Sequence, residues 1–403
     1  MTGGPTRAEA QARDADDPLA ALRERYAIPD PERIYLDGNS LGRPAYAIEE
    51  RVAATVTDWG ARVVEGWPDW VELPRRVGDR LAEICLGARP GEVLVADTTT
   101  VNLYKLAHAA LDLRPGAVVT DADNFPTDRY VLEGVAIARG RPFILAGSAE
   151  EALAEPNAGL VCLSHVDYRS GRLLDIARHR SAAGALVIWD LSHSVGAVRI
   201  DLSQADLAIG CSYKYLNAGP GGPAFLYVRR ELQDEMISPI RGWFSQRDQF
   251  TMGPTYDPAP GIDRFMAGSP PVIGLAALDA SLDLIAEAGI ERLAAKGAAL
   301  TQLIIELADE WLEPLGFAVA TPRSPAERGS HVALRHIDAW QVCRALIERA
   351  GVVPDFRRPD LIRFGAPPIY TRFVDVWDAM DRLRDLVASG RYQEVDAGTR
   401  RVT

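Results

Sequence analysis

The sequence predicts an α/β fold: a large domain whose mainly parallel sheet is flanked by helices, followed by a smaller C-terminal α+β domain. Short apolar runs alternate with longer helical patterns, as in Glu92-Val93-Leu94-Val95-Ala96, Ala117-Val118-Val119, Leu160-Val161-Cys162-Leu163 and Leu186-Val187-Ile188-Trp189, which is the pattern of a doubly wound sheet. Many of these runs end in polar or charged residues, where ligands of open α/β sheets gather. From Pro271 to about Leu312 the spacing of Leu275, Leu278, Leu282, Ile285 and Leu293 turns helical, so a connecting helix enters the second domain near residue 290. The expected division is an N-terminal segment 1–45 packing on the small domain, a large domain 46–290 and a small domain 291–403.

With 403 residues and 47% hydrophobic content the chain can bury a large core and exceeds one typical domain. A net charge of -12 without a long basic run argues against a nucleic-acid or anionic-membrane surface and favours a small-molecule enzyme. Met1 to Asp17 is polar, and no apolar stretch reaches the roughly 18 residues of a membrane span, so a cytoplasmic protein is expected. Cys85, Cys162, Cys211 and Cys343 form no C-x-x-C pair, and the six histidines lack ligand spacing, His331 and His336 included, so no disulfide framework or metal is expected.

In chain order, Thr98-Thr99-Thr100 stands between a strand and the run Leu103, Leu106, Ala107, Ala110, where a helix N-terminus with hydroxyls stabilises an anion; the plainer reading is a capping threonine. Phe125-Pro126-Thr127-Asp128 reads alone as a turn with a capping aspartate. The apolar run Val187-Ile188-Trp189 ends on Asp190, a carboxylate able to face the ring nitrogen of a pyridoxal cofactor, with His193 three residues on. In Cys211-Ser212-Tyr213-Lys214-Tyr215-Leu216-Asn217-Ala218-Gly219-Pro220-Gly221-Gly222, Lys214 sits where a buried run becomes a glycine-rich loop. Partial desolvation drives it toward a neutral, nucleophilic amine suited to an aldehyde cofactor. A strand-end aspartate is usually a cap and a lone lysine usually solvated; their order and spacing favour the cofactor reading.

These residues resemble the fold-type I pyridoxal phosphate enzymes of the class V aminotransferase superfamily, and among them the kynureninases. The likeness runs from about residue 34 to about 380 through Asp37-Gly38-Asn39-Ser40-Leu41-Gly42, Thr98-Thr99-Thr100-Val101-Asn102-Leu103, Phe125-Pro126-Thr127-Asp128, Asp190-Leu191-Ser192-His193, Ser212 to Gly219, and Gly242-Trp243-Phe244. It implies pyridoxal 5'-phosphate linked to Lys214, with Thr99, Thr100 and Tyr213 at the phosphate, Phe125 stacked on the ring, and Asp128, Ser164, Asp190 and His193 around it. Trp243 and Ser269 would reach the phosphate from a second subunit, making a homodimer with shared sites. Ser269, in Gly268-Ser269-Pro270-Pro271, stands where relatives often carry Asn or Thr. On the substrate side the resemblance places Asn39, Ser40, Arg363 as the grip on an α-carboxylate, and Trp67 as an aromatic wall that favours kynurenine over its 3-hydroxy derivative.

The implied reaction, part of tryptophan catabolism, is hydrolytic Cβ–Cγ cleavage of a kynurenine to anthranilate (or 3-hydroxyanthranilate) and L-alanine. In it Lys214 moves the Cα proton, Asp190 keeps the ring protonated, water adds to the γ-carbonyl, and Tyr213 returns a proton to Cβ. Rival readings are the same reaction on a ring-modified kynurenine, a cysteine desulfurase using Cys343, an aminotransferase, and a non-enzymatic descendant. Against the desulfurase, Ala339 to Leu346 reads as an amphipathic helix that buries its cysteine; against the last, Lys214 is present.

Overall fold

The computed structural model describes residues 4–396 and 398. Among the described residues the strands are, in chain order, β1 (Ile34–Tyr35), β2 (Val93–Val95), β3 (Ala117–Asp121), β4 (Phe143–Ala146), β5 (Ala158–Ser164), β6 (Leu186–Asp190), β7 (Leu207–Gly210), β8 (Phe225–Val228), β9 (Ala318–Val319), β10 (His331–Arg335), β11 (Val352–Val353), β12 (Asp355–Arg357) and β13 (Leu361–Gly365). The main sheet runs β2-β8-β7-β6-β5-β3-β4, with β8 antiparallel to both neighbours and the other pairings parallel. Its central strands β5, β6 and β7 are buried along their whole length, which is why their sequences are nearly unbroken apolar runs rather than alternating ones.

Helix starts are set by local chemistry. Thr98 caps the helix Thr99–Leu113, its hydroxyl accepting from the Val101 amide at 3.3 Å. Pro126 opens the helix Pro126–Arg139 and Gly140, in the left-handed region, closes it. The helices Val272–Ala288 and Ile290–Leu307 join at Gly289 (φ +77°).

The second sheet, β12-β13-β10-β9, is antiparallel. Val332, Leu334, Ile362 and Phe364 belong to one apolar cluster with Val342, Leu346, Val376 and Met380 of the helices Ala339–Arg349 and Phe373–Ala388. Strand alternation therefore puts His331, Ala333, Arg363 and Gly365 on the opposite face. The N-terminal residues lie against this unit: β1 pairs with β11, and Asp14 accepts from the amides of Phe373 and Val374 at 2.6 and 3.0 Å, capping that helix.

The tail differs from expectation. The charged segment from Ser389 reads as frayed, yet Arg391–Glu394 form a short 3₁₀ turn and bury Tyr392 and Val395 in the second core. Two apolar anchors outweigh the surrounding charge; residues 397 and 399–403 of that segment lie outside the described residues.

Candidate active site

Parallel strands deliver their carboxyl ends to one edge of the sheet, and there a cavity of about 290 Å³ opens between Thr98, Thr99 and Thr100 on one side and Asp190, His193 and Lys214 on the other. The chain after β2 is held tightly. Asp97 adopts a left-handed φ of +54°, and fully buried Lys105 bonds its carboxylate and the Phe265 carbonyl, each at 2.7 Å. The amide end of a fifteen-residue helix, with three hydroxyls, thus faces the cavity.

Lys214 leaves β7 in a loop clamped from the N-terminal segment. The Gly42 amide donates to the Tyr213 carbonyl at 2.8 Å, and a Cβ on Gly42 would lie 2.4 Å from the Lys214 carbonyl oxygen. That contact explains why the Asn39-Ser40-Leu41-Gly42 block ends in glycine. Lys214 Nζ lies 2.9 Å from His193 Nε2, with the rings of Phe125 and Tyr213 6.0 and 5.8 Å away. Burial, then the charge of Lys214, hold the His193 imidazole well below its ordinary value, so it is neutral and accepts from the lysine. Its Nδ1 is buried without a partner.

Asp190 accepts from the Ser192 amide at 2.8 Å through Oδ1. Asp128, fully buried on the first turn of its helix, is raised well above the usual carboxylate range by burial and by Asp190, to which it is hydrogen-bonded, and its Oδ2 has no partner. The raised Asp128 carboxyl keeps its proton beside Asp190, an arrangement suited to a cationic N–H. Tyr213 borders the cavity; its phenol is raised by neighbouring Cys211, then by burial, and so stays protonated.

Several expected residues stand elsewhere. Ser164 is not on this cavity wall: it sits behind it, beside Asp190 in register, donating to Asn124 Oδ1 at 2.7 Å. Trp243 is 47% exposed, its indole N–H bonded to the Gln249 carbonyl at 3.0 Å, and Ser269 is exposed; neither lines the cavity of its own chain. Trp67 packs on Trp70 and Phe244, ring centroids 5.8 and 6.3 Å away, and is likewise off the cavity wall.

Arg363 is fully buried, but the edge expected to grip a carboxylate in two bonds is already taken: Nε and Nη2 bind the two oxygens of Asp355, Nε at 2.7 Å, while Nη1 donates to the Tyr168 carbonyl. Ser40 also goes to Asp355, at 3.0 Å, and Asn39 is buried with both amide atoms unpartnered. Arg357 adds a second cation on Asp355 at 2.8 Å. Asp37, buried beside Asp355, is pushed up to about 7 by burial and then by that charge. Sequence reasoning missed Lys105, Asn124 and Asp355 because only strand register and tertiary packing reveal their partners.

Pyridoxal phosphate fits the donor set: a helix N-terminus with hydroxyls for a dianion, the buried Asp128 and Asp190 carboxyls for the ring nitrogen, and an amine for the aldehyde. A family model described as the kynureninase C-terminal domain matches residues 293–383. A kynureninase from Pseudomonas fluorescens is 42% identical over 400 residues, 95% of each chain. One from Burkholderia pseudomallei (strain 1106a) is 39% identical over 414 residues, covering 98% of this chain and 99% of that protein. Among solved structures, the apo cysteine desulfurase from Thermococcus onnurineus NA1 aligns with a TM-score of 0.78 at 19% identity, covering 92% of this chain and 98% of that one. A C-DES mutant with glycine covalently linked to its PLP cofactor aligns with a TM-score of 0.79 at 18% identity, covering 90% and 99%. Likeness at that identity bears on the fold alone.

Proposed function

The chain belongs to the kynureninase family, pyridoxal phosphate-dependent hydrolases of a carbon–carbon bond, and on that premise we propose that it cleaves L-kynurenine to anthranilate and L-alanine with Lys214 as its central group. The observation that carries this is the position of Lys214, 2.9 Å from a neutral imidazole on a cavity walled by the Asp128–Asp190 pair and a helix N-terminus. When bound, the cofactor draws electrons from the substrate's Cα into its ring. Lys214 shuttles the Cα proton, with His193 accepting its N–H; Asp190 holds a proton on the ring nitrogen; Tyr213, protonated and beside Lys214, supplies the proton to Cβ. Thr99 and Thr100 hold the phosphate, Phe125 covers the ring, and Arg363 with Asn39 and Ser40 receives the carboxylate side.

Exposed Trp243 and Ser269 complete this site from a second subunit, so the enzyme works as a homodimer; complementation between Lys214→Ala and Trp243→Ala chains in mixed dimers tests it. Four buried, unpaired cysteines support a reducing, cytoplasmic setting. The assay is purified protein with L-kynurenine and, separately, 3-hydroxy-L-kynurenine, following anthranilate fluorescence and alanine. Release of neither product would sink the substrate assignment, and the ratio of the two rates tests Trp67.

Two further results are expected. Cys343→Ala leaves kcat/KM within about twofold and L-cysteine yields no sulfide, because this thiol is fully buried in a helix and pushed up by burial, away from a reactive thiolate. The carboxylate site is pH-dependent. Below about 7 Asp37 is protonated, leaving Arg363 and Arg357 against Asp355, one net positive charge; as pH rises through that value Asp37 ionises and cancels it. KM for kynurenine should therefore climb above pH 7, and Asp37→Asn should flatten the climb. A wild-type KM that is level from pH 6 to 8 would refute this.

A further inference from the structure

His331 is an anomaly. It is fully buried, yet neither ring nitrogen has a hydrogen-bond partner among the described residues. Leaving such groups unpaired in an apolar setting is expensive, so an unpaired buried imidazole points to a missing ligand. Burial, then the charge of Arg363, pull it down to about 3, so it is neutral and offers one donor N–H and one acceptor.

Its location is set by strand register. His331 pairs with Gly365 and Ala333 pairs with Arg363 across β10 and β13, so all four share the face turned away from the helical core. Ala333 and Gly365 put no bulky side chain on that face beside Arg363 and His331. Asn39 packs over Gly365, where a Cβ would fall 1.7 Å from its Oδ1, and Gly171 packs on the His331 ring, where a Cβ would fall 3.3 Å from Nε2. The large-domain side approaches the same face: the His193 ring is 5.8 Å from that of His331, and Tyr215, next to Lys214, bonds the Ser330 carbonyl at 3.1 Å. His331, Asn39 and His193 together contribute five unpartnered polar atoms beside a buried arginine. Arg363 has spent its Nε–Nη2 edge on Asp355, so it alone cannot satisfy the four lone-pair directions of an incoming carboxylate.

We propose that His331 is a substrate-binding residue that donates its imidazole N–H to the substrate's α-carboxylate, sharing that anion with Arg363 and Asn39. This rests on the reading of Arg363 as the carboxylate anchor.

The test compares L-kynurenine with kynuramine, the same molecule without its carboxylate, on holoenzyme variants. His331→Met, which removes both ring nitrogens and keeps volume, raises KM for kynurenine about 10- to 100-fold, the loss of one hydrogen bond to a charged group. It leaves the Kd of kynuramine, read from the cofactor absorbance, within about twofold. His331→Gln, which restores an N–H, recovers most of the kynurenine affinity. The same His331→Met change keeps or raises the Tm of the apoprotein, since it deletes two unsatisfied atoms. An unchanged KM, or equal losses for both ligands, overturns the proposal, as does a fallen Tm with carboxylate affinity intact. Arg363→Met separates the two readings. If it too fails to discriminate the ligands, the carboxylate site itself is misplaced; if it discriminates and His331→Met does not, His331 alone is wrong.

Discussion

Replacing Lys214 with alanine lowers kcat for anthranilate release by at least about 10⁴-fold, some 5.4 kcal/mol of barrier at 1.36 kcal/mol per decade. Two functions fail together. The amine that joins the aldehyde is gone, and so is the group that carries the Cα proton, which the geometry provides once only: His193 is kept neutral and sits behind the lysine, its Nε2 engaged at 2.9 Å. Losses of groups that act as a unit are not additive, so His193→Ala on top of Lys214→Ala adds little. Lys214→Arg restores the charge near His193 but no nucleophile, and gives no rescue. Anthranilate fluorescence in stopped flow measures kcat, and the absorbance of the reconstituted protein shows whether cofactor is still held by the helix end and the Asp128–Asp190 pair. A loss below tenfold would mean that another base does the work and the role given to Lys214 is wrong.

The sequence reading reached the main sheet because parallel strands buried on both faces leave long apolar runs, and it reached Asp190 and Lys214 because each lies at the end of such a run. A capping threonine is the plainer reading of Thr98-Thr99-Thr100, and Thr98 takes that place, while all three hydroxyl residues line the cavity from the same helix start. What escaped depends on register. Asp355 and Arg363 are eight residues apart in sequence and become partners only because β12 and β13 pair antiparallel with those two opposite each other. His331 lacks metal-ligand spacing, and no one-dimensional pattern reveals that its cross-strand neighbour is Gly365 or that both its nitrogens are unpartnered among the described residues. Trp67 depends on tertiary packing in the same way: the resemblance places it as a wall of the substrate site, and its ring neighbours within this chain are Trp70 and Phe244.

The two halves of the site also differ in how they handle charge. Around Lys214 a strand end and a helix start bring Asp190 and Asp128 together, so a cationic ring nitrogen relieves a stress already present. Beside the second sheet, buried Arg363 and half-buried Arg357 outnumber the ionised acids below pH 7, so an anion is favoured there instead. An amino acid joined to a pyridine aldehyde meets both demands, and neither half alone specifies it. Tyr215, bonded to the Ser330 carbonyl from beside Lys214, is the strut that fixes their separation.

Asp190→Asn lowers kcat about 10³-fold, roughly 4 kcal/mol, whereas Asp128→Asn lowers it only about tenfold. Both carboxyls are buried and hydrogen-bonded to one another, so the asymmetry follows from which one holds the charge. Asp128 is the protonated member, raised by burial and by Asp190; an amide there replaces one neutral group with another. Asp190, anchored by the Ser192 amide, is the carboxyl proposed to hold the proton on the ring nitrogen, and an amide cannot take that role. Stability separates the two further. A carboxyl whose folded value is raised resists ionising in the native state, so its penalty is absent below the ordinary carboxylate range and grows as pH climbs toward the folded value. Asp128→Asn deletes that penalty, so the apoprotein variant melts above wild type at pH 8 and level with it near pH 4, by calorimetry on cofactor-free protein. Equal kinetic losses in the two variants, or an Asp128→Asn apoprotein that is less stable at pH 8, would mean that the charge is shared between the acids and that Asp190 has no privileged claim on the ring.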